Sequence, residues 1–362
     1  MKKHPLHIFL CILIGVALSG CGSIWNPTPE TPSTPLSISM PEDGTLRIAQ
    51  FTDFHFGTEG EQYHNADEAR TLAFIDHIVA TTQPDLIVLT GDNIMCTGVD
   101  GIKELIGWMD KYETPWTLIW GNHDTMADSW GISKRDISNY IASCGSKYLM
   151  YQEEYIETGK EDRYGNFSIS VMDTTNEYLL GALLLMDSGT YDYDLESYQS
   201  ITSGQMDWYK NKIASLQGIY EKQTPSEKYA GNSHSIVPSI IFAHIPLPEH
   251  SLGYRKAKEN NGAEFVIYQD VNSRFINVTE SSSPSNNTNF FTVLKDVGST
   301  KAYFVGHMHG LQFQVKMDGI LLGFGPQTGF AKMGNSATSK KTCYVYEINQ
   351  AFELETIKCS EP

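Results

Sequence analysis

Five short motifs lie in order along the chain. They are Asp53-Phe54-His55, Gly91-Asp92-Asn93, Gly121-Asn122-His123-Asp124, a lone His244, and Gly306-His307-Met308-His309. Together they offer two Asp, one Asn and four His as metal ligands, with the pair His123 and Asp124 left over. Hard oxygen and borderline imidazole donors in that ratio suit two divalent or trivalent first-row ions. Two ions about 3.5–4 Å apart are a common device for in-line attack at phosphorus.

Such ligands need a rigid frame. Residues 46–52 read as a strand, with Asp53 directly after it. Residues 65–81 are helix-like, with Leu72, Ile75 and Val79 at helical spacing. Residues 85–90 form an apolar run of strand length that delivers Asp92. Residues 102–112 read as a second helix, and 115–120 as a strand that delivers Asn122. This β-α-β-α-β order predicts an α/β sheet with partly parallel strands. Further strands are read at 148–154, 167–172, 178–186, 239–243 and 302–305, the last two delivering His244 and His307. Helices are read at 205–216 and 290–297, and closing strands near 311–315, 320–324 and 343–348. Each motif thus sits just past the carboxyl end of a predicted strand, where open α/β sheets place ligands.

The local spacing carries its own expectations. A glycine before Asp92, Asn122 and His307 would let the backbone turn tightly as it leaves the strand. Asp53 and His55 would share one side of an extended segment because side chains alternate, and so would His307 and His309, one for each ion. Asp92 has two oxygens with which to bridge the ions, and Asn122 offers a neutral one.

Composition bounds the rest. The 362 residues carry a net charge of −17, which disfavours binding to nucleic-acid backbones. Lys2 and Lys3 precede an apolar run from Ile8 to Leu18, too short to span about 30 Å of hydrocarbon as a helix. Leu18-Ser19-Gly20-Cys21 then resembles a bacterial lipobox. Residues 1–20 are accordingly read as a lipoprotein signal peptide, with Cys21 lipidated and the protein anchored to a membrane of the bacterial cell envelope, outside the cytoplasm. Prolines 27, 29, 32 and 35 lie in a polar stretch that favours an extended spacer, so residues 21–45 are read as a tether and 46–362 as one domain. Cys96, Cys144, Cys343 and Cys359 allow three pairings, among which the sequence does not choose. Residues 190–198 alternate Tyr with acid and are read as a solvated loop or as an edge of the active-site mouth. His250, close after His244, is either a structural residue or a substrate contact.

The motifs together resemble the calcineurin-like metallophosphoesterases, and within them the compact branch related to purple acid phosphatases. Residues 243–249 (Ala-His-Ile-Pro-Leu-Pro-Glu) are similar to that branch's histidine segment, and residues 186–189 and 205–208 stand where it has similar segments. The resemblance spans roughly residues 46–348. It implies a four-layer α/β/β/α sandwich with two mixed sheets flanked by helices. It implies that Asp53, His55 and His309 hold one ion, that Asn122, His244 and His307 hold the other, and that Asp92 bridges them. A hydroxide held by the ions would attack a phosphate ester in line. His123, oriented by Asp124, would protonate the leaving oxygen or stabilise developing charge. The implied substrates are small phosphomonoesters, with phosphodiesters or nucleotides as the alternative and a non-enzymatic envelope binding protein as a third reading.

Two positions depart from the branch. Purple acid phosphatases carry an iron-binding Tyr three residues after the bridging Asp; here that residue is Met95, a poor ligand for a hard ferric ion. The metals are therefore expected to be iron, manganese or zinc without a purple tyrosinate. The last motif of the branch often reads Gly-His-Asp-His, and Met308 replaces that Asp, which removes a polar partner near the ligands.

Overall fold

Short apolar runs closed by glycine, proline or acidic residues form the strands, and longer amphipathic runs form the helices. The computed structural model describes residues 35–57, 64–95, 98–124, 133–154, 156, 163–194, 196–223, 234–271, 289–330 and 340–362. The first half contains β1 (Leu36–Ser39), β2 (Thr45–Phe51), α1 (His64–Thr82), β3 (Leu86–Thr90), α2 (Gly98–Asp110), β4 (Trp116–Ile119), α3 (Lys134–Ser143), β5 (Phe167–Met172) and β6 (Leu179–Leu185). Then follow β7 (Tyr191–Asp192), β8 (Ser197–Tyr198), α4 (Ser203–Tyr220), β9 (Ser239–Phe242), α5 (Pro248–Lys258) and β10 (Ala263–Ile267). The chain closes with α6 (Phe290–Val297), β11 (Thr300–Val305), β12 (Gln314–Met317), β13 (Ile320–Phe324), β14 (Thr342–Asn349) and β15 (Leu354–Ser360).

Two large mixed sheets result. One has the order β15-β14-β2-β3-β4, with β2, β3 and β4 parallel and β14 and β15 antiparallel. The other has the order β1-β5-β6-β9-β11-β13-β12-β10, with a parallel centre from β6 to β13. Strand alternation shows how they stack. In the five-stranded sheet Ala49, Phe51, Ile87, Leu89, Leu118 and Val345 pack with Ile75 and Ile78 of α1, Ile102 and Leu105 of α2, and Ile137 of α3. Their neighbours Leu46, Ile48, Leu86, Val88, Ile119 and Tyr346 pack instead with the eight-stranded sheet and with α4, α5 and α6. A period of two separates the faces of a strand, so the layers run helix, sheet, sheet, helix. This is the expected four-layer α/β/β/α architecture. Every residue of β6 is buried, as a central strand covered on both faces requires.

A buried polar contact ties the two sheets together beneath their carboxyl ends. Gln50, in β2, donates through Nε2 to Thr90 Oγ1 at 2.8 Å and to the Val305 carbonyl of β11 at 3.2 Å, and it accepts from the Tyr346 hydroxyl at 2.5 Å. The ring of Tyr346 stacks on Phe304 across the sheets with centroids 3.9 Å apart.

Several sequence readings shift. Globular structure begins before residue 46: Leu36–Ser39, inside the segment read as tether, pairs in parallel with β5. Residues 148–154 are not a strand; Leu149 makes one isolated bridge to Trp116. Helix α5 was not anticipated because its buried face is His250, Ser251, Gly253, Tyr254 and Ala257, with none of the aliphatic stripe that announces a helix. Strand β15 is a largely polar edge strand. Cys343 and Cys359 are direct cross-strand partners in β14 and β15. Cys21 and Cys96 lie outside the described residues, as does the whole of residues 1–34.

Lys134, the first residue of α3, donates to both oxygens of Asp187 at 2.9 Å, and both side chains are buried. The amides of Tyr164 and Gly189 complete the carboxylate's shell. Removing one partner of a buried ion pair strands the other charge. Lys134→Met is expected to lower unfolding stability in urea by about 3–5 kcal/mol, and adding Asp187→Asn should recover part of the loss. Equal stability of Lys134→Met and wild type would rule out this role.

Candidate metal centre

The ligand residues leave their strands through left-handed backbone. Asp53, His55, Asp92 and His307 have φ of 56°, 51°, 51° and 72°. Non-glycine residues in that region cost of order 1–3 kcal/mol each and persist only where surrounding contacts hold them. Hydrogen bonds do so here: Asp53 N donates to the Gly91 carbonyl, and His55 N to the Asp92 carbonyl. The expected grouping of ligands is therefore reached by a different route. Asp53 and His55 converge through kinked, not extended, chain. The glycines also act otherwise than expected at two of three sites. Gly91 has the left-handed φ of 91°, but Gly121 and Gly306 are required for lack of room. A Cβ at Gly121 would overlap the Asp92 backbone and carboxylate, and one at Gly306 would overlap the Thr52 hydroxyl.

Two clusters of donor atoms form side by side. Asp53, His55 and His309 make one, and Asp92, His244 and His307 the other; within each, donor atoms lie within 4.8 Å of one another. His55 Nε2 is 2.9 Å from His309 Nε2, and His309 Nε2 is 3.5 Å from Asp53 Oδ1. Asp92 Oδ2 is 3.2 Å from His244 Nε2 and 3.7 Å from His55 Nε2, so this one oxygen faces both clusters. Asn122 Oδ1 joins the second cluster, 3.1 Å from His244 Nε2. Each cluster draws from both sheets. Asp53, His55, Asp92 and Asn122 follow strands of the five-stranded sheet, while His244, His307 and His309 follow strands of the eight-stranded one.

The chemistry of these donors fits two cations. The Nδ1 of His244 faces the Thr90 carbonyl at 2.8 Å, which places the proton there and leaves Nε2 free to ligate. Burial alone would push the Asp53 and Asp92 carboxyls up, but His309 and His244 outweigh it and hold both down, Asp92 well below the usual range. Burial pushes His55 down to about 4 and His307 to about 3. Against burial, Asp92 raises His244 to about 9. Ionised carboxylates and neutral imidazoles are the forms that bind metal; Asp53, Asp92, His55 and His307 are held in them, and His244 would give up its Nε2 proton to a cation.

His123 and Asp124 separate in role. His123 stands half-buried beside His55, ring centroids 5.2 Å apart, and its amide donates to Asp92 Oδ1 at 2.7 Å. Asp124 does not orient it. The Asp124 carboxylate accepts from the amides of Asn93, Ile94 and Gly121 at 2.7–2.8 Å, pinning the loops after β3 and β4 to each other. His123 Nδ1 is buried and has no hydrogen-bond partner among the described residues. Burial and the Asp92 charge push the Asp124 carboxyl up to about 7, against the pull of those amides. His250 does not reach the site: it is fully buried between Tyr303 and Phe324, and burial holds its pKa near 4. Met308 packs partly buried against the main core.

The sequence reading missed the supports behind His244. Its amide and that of Ile245 donate to Ser188 Oγ at 3.3 and 2.8 Å. Gln205 Nε2 donates to the Asp187 carbonyl at 2.6 Å and to Asn166 Oδ1 at 2.9 Å, while its Oε1 caps α4 through Thr202. Asp187, Ser188 and Gln205, from the segments 186–189 and 205–208 that resemble the family, therefore form with Asn166 a buried polar bracket behind His244.

The family pattern described as calcineurin-like phosphoesterase matches residues 46–311, from the strand before Asp53 to just past His309. The chain belongs to this family. Among curated relatives of this phosphoesterase, "Probable inactive purple acid phosphatase 29" of Arabidopsis thaliana is 25% identical, covering 94% of this chain and 86% of its own. "Probable inactive purple acid phosphatase 14" of the same plant is also 25% identical, covering 83% of this chain and 74% of its own. Among solved structures, a dimetal phosphatase from Danio rerio aligns over 86% of this chain and 98% of its own at 11% identity, with a TM-score of 0.49.

Asp124→Ala strands three buried amide donors, at about 1–3 kcal/mol each. The variant should lose several kcal/mol in urea unfolding and lose metal content with it, whereas His123→Ala should keep both. Stability matching wild type in Asp124→Ala would contradict the pinning role.

Proposed function

We propose that the chain is a lipid-anchored envelope enzyme that hydrolyses small phosphate monoesters with two metal ions. The observation that carries this reading is the pair of donor clusters facing a single Asp92 oxygen, with His123 on the same half-buried rim. Two ions held there would supply Lewis acidity and an activated water for displacement at phosphorus.

The chain's own residues do the rest. Asp53, His55 and His309 would hold one ion; Asp92, Asn122, His244 and His307 the other, with Asp92 shared. His123 would hold or give a proton at the leaving oxygen, since its imidazole stands beside the clusters but is not one of their ligands. Iron, manganese or zinc fits this nitrogen and oxygen set, and Met95 in place of a tyrosine argues against a purple tyrosinate centre. Cys21 would carry the lipid and hold the enzyme at a membrane of the bacterial envelope, outside the cytoplasm. Nucleic-acid backbones are poor partners for a chain of charge −17.

A second reading has its own support: two relatives are described as probably inactive. By that reading the chain binds phosphorylated molecules without turnover. Metal-loaded protein is expected to hydrolyse an activated phosphomonoester faster than the matching diester. A faster diester would favour phosphodiester or nucleotide hydrolysis on the same ligands; no turnover with manganese, iron or zinc would favour the binding protein. Asp92→Asn should lose bound metal, and His123→Ala should keep metal and lose turnover. Cys21→Ser should move the protein from the membrane fraction to the soluble one, and retention in membranes would refute the anchor.

A further inference from the structure

Buried ligands and half-buried ligands define where the metal centre opens. Asp53, His55, Asp92, Asn122 and His244 are buried, whereas His307, His309 and the neighbouring His123 are half-buried. The opening is therefore bordered by these three imidazoles. Against one of them stands an aromatic series. The Tyr198 ring meets His307 edge-to-face with centroids 4.6 Å apart. Tyr191 meets Tyr198 at 5.1 Å, and Tyr193 meets Tyr191 at 5.1 Å. Exposure rises outward along the series: Tyr198 and Tyr191 are half-buried, and Tyr193 is 76% exposed. A large aromatic that exposed contributes nothing to the core.

The series is held in place. Tyr191 and Tyr198 face each other across the β7–β8 hairpin. At its base Gln199 N donates to the Thr190 carbonyl at 2.9 Å, and Thr190 N donates to Gln199 Oε1 at 3.0 Å. Arg163, 6% exposed, donates to Gln199 Oε1 and to the Ser200 carbonyl. Gly189, with φ of 88°, starts the hairpin where a Cβ would run into Gln199 and Arg163. The base of the hairpin is thus held, and with it the paired Tyr191 and Tyr198 beside His307.

We propose that the β7–β8 hairpin is a subsite for a flat aromatic group carried on the phosphorus that the metal centre binds. Tyr198 stands at the phosphorus end, and Tyr191 and Tyr193 receive the ring. The proposal rests on the phosphoesterase reading for its substrate class. Edge-to-face tyrosines leave ring faces and edges for a further aromatic partner, at the centroid spacings such pairs prefer. The aromatic group is supplied either by a simple aryl ester or by a nucleobase.

The test uses manganese-loaded full-length protein and calorimetric binding of phosphonates, which are not hydrolysed. Phenylphosphonate is expected to bind about 3- to 10-fold tighter than methylphosphonate, the range of one aromatic pair. Tyr191→Ala/Tyr193→Ala should bring that ratio close to one, while Tyr193→Phe keeps it; metal content and melting temperature are measured on each variant. Equal binding of the two phosphonates by wild type, a ratio unchanged in the double variant, or cyclohexylphosphonate binding as tightly as phenylphosphonate would overturn the proposal. Binding of a nucleoside monophosphate tighter than phenylphosphonate assigns the subsite to a base, and weaker binding to a simple aryl group. Turnover of phenyl phosphate is followed in parallel. Aromatic preference without turnover would sink the phosphoesterase reading and leave the subsite; turnover without preference would do the reverse.

Discussion

Everything at the candidate metal centre depends on one constraint: two sheets must pack face to face with little freedom to slide. Neither sheet owns a complete ligand set. The first cluster takes Asp53 and His55 from one sheet and His309 from the other; the second takes Asp92 and Asn122 from one, His244 and His307 from the other. Packed apolar side chains alone resist separation of two sheets better than they fix sliding, because dispersion is not directional. Gln50 supplies direction, with bonds to both sheets at once, and the Tyr346–Phe304 stack sits beside it. The Thr52 carbonyl and amide add a second tie through Thr328, on the loop after β13.

Backbone strain is the counterpart of that rigidity. Four of the seven ligand residues are non-glycine residues in left-handed conformation. Such conformations would relax if the amides around them were free. Here Asp124, the Gly91 and Asp92 carbonyls and the Asp53 carboxylate occupy those amides, and His307 N itself donates to Asp53. The carboxylates thus serve twice, as ligands and as acceptors that shape the loops carrying the other ligands.

Much of this was legible in the chain. The five motifs stand at the ends of strands that their apolar runs predict, and β5, β13 and α6 match their predicted bounds. What remained hidden shares one physical character: single polar residues whose partners are distant in sequence. Gln50 interrupts an apolar strand and reads as noise, because the carbonyl it bonds lies 255 residues away. Lys134 and Asp187 are ordinary charges until a helix start meets a strand end. Asp124, next to a histidine in a catalytic-looking motif, reads as the carboxylate that orients it; only the folded loops reveal three amides converging on it. The kinked geometry of Asp53 and His55 escaped for a related reason. Residue type signals left-handed backbone reliably for glycine and weakly for Asp and His.

The separation of the ligands along the chain has a temporal side. His55 and His309, whose ring nitrogens touch, are 254 residues apart. A growing or partly folded chain that ends before residue 309 lacks one ligand of the first cluster, and one that ends before 307 lacks a ligand of each. Neither donor set is then complete. Both sets come together only once β11, which delivers His307 and His309, has paired with β9 and β13. Since donor sets of this kind accept several first-row metals and selectivity follows availability, the ion bound would follow the pool that surrounds the chain once residues 307 and 309 are in place.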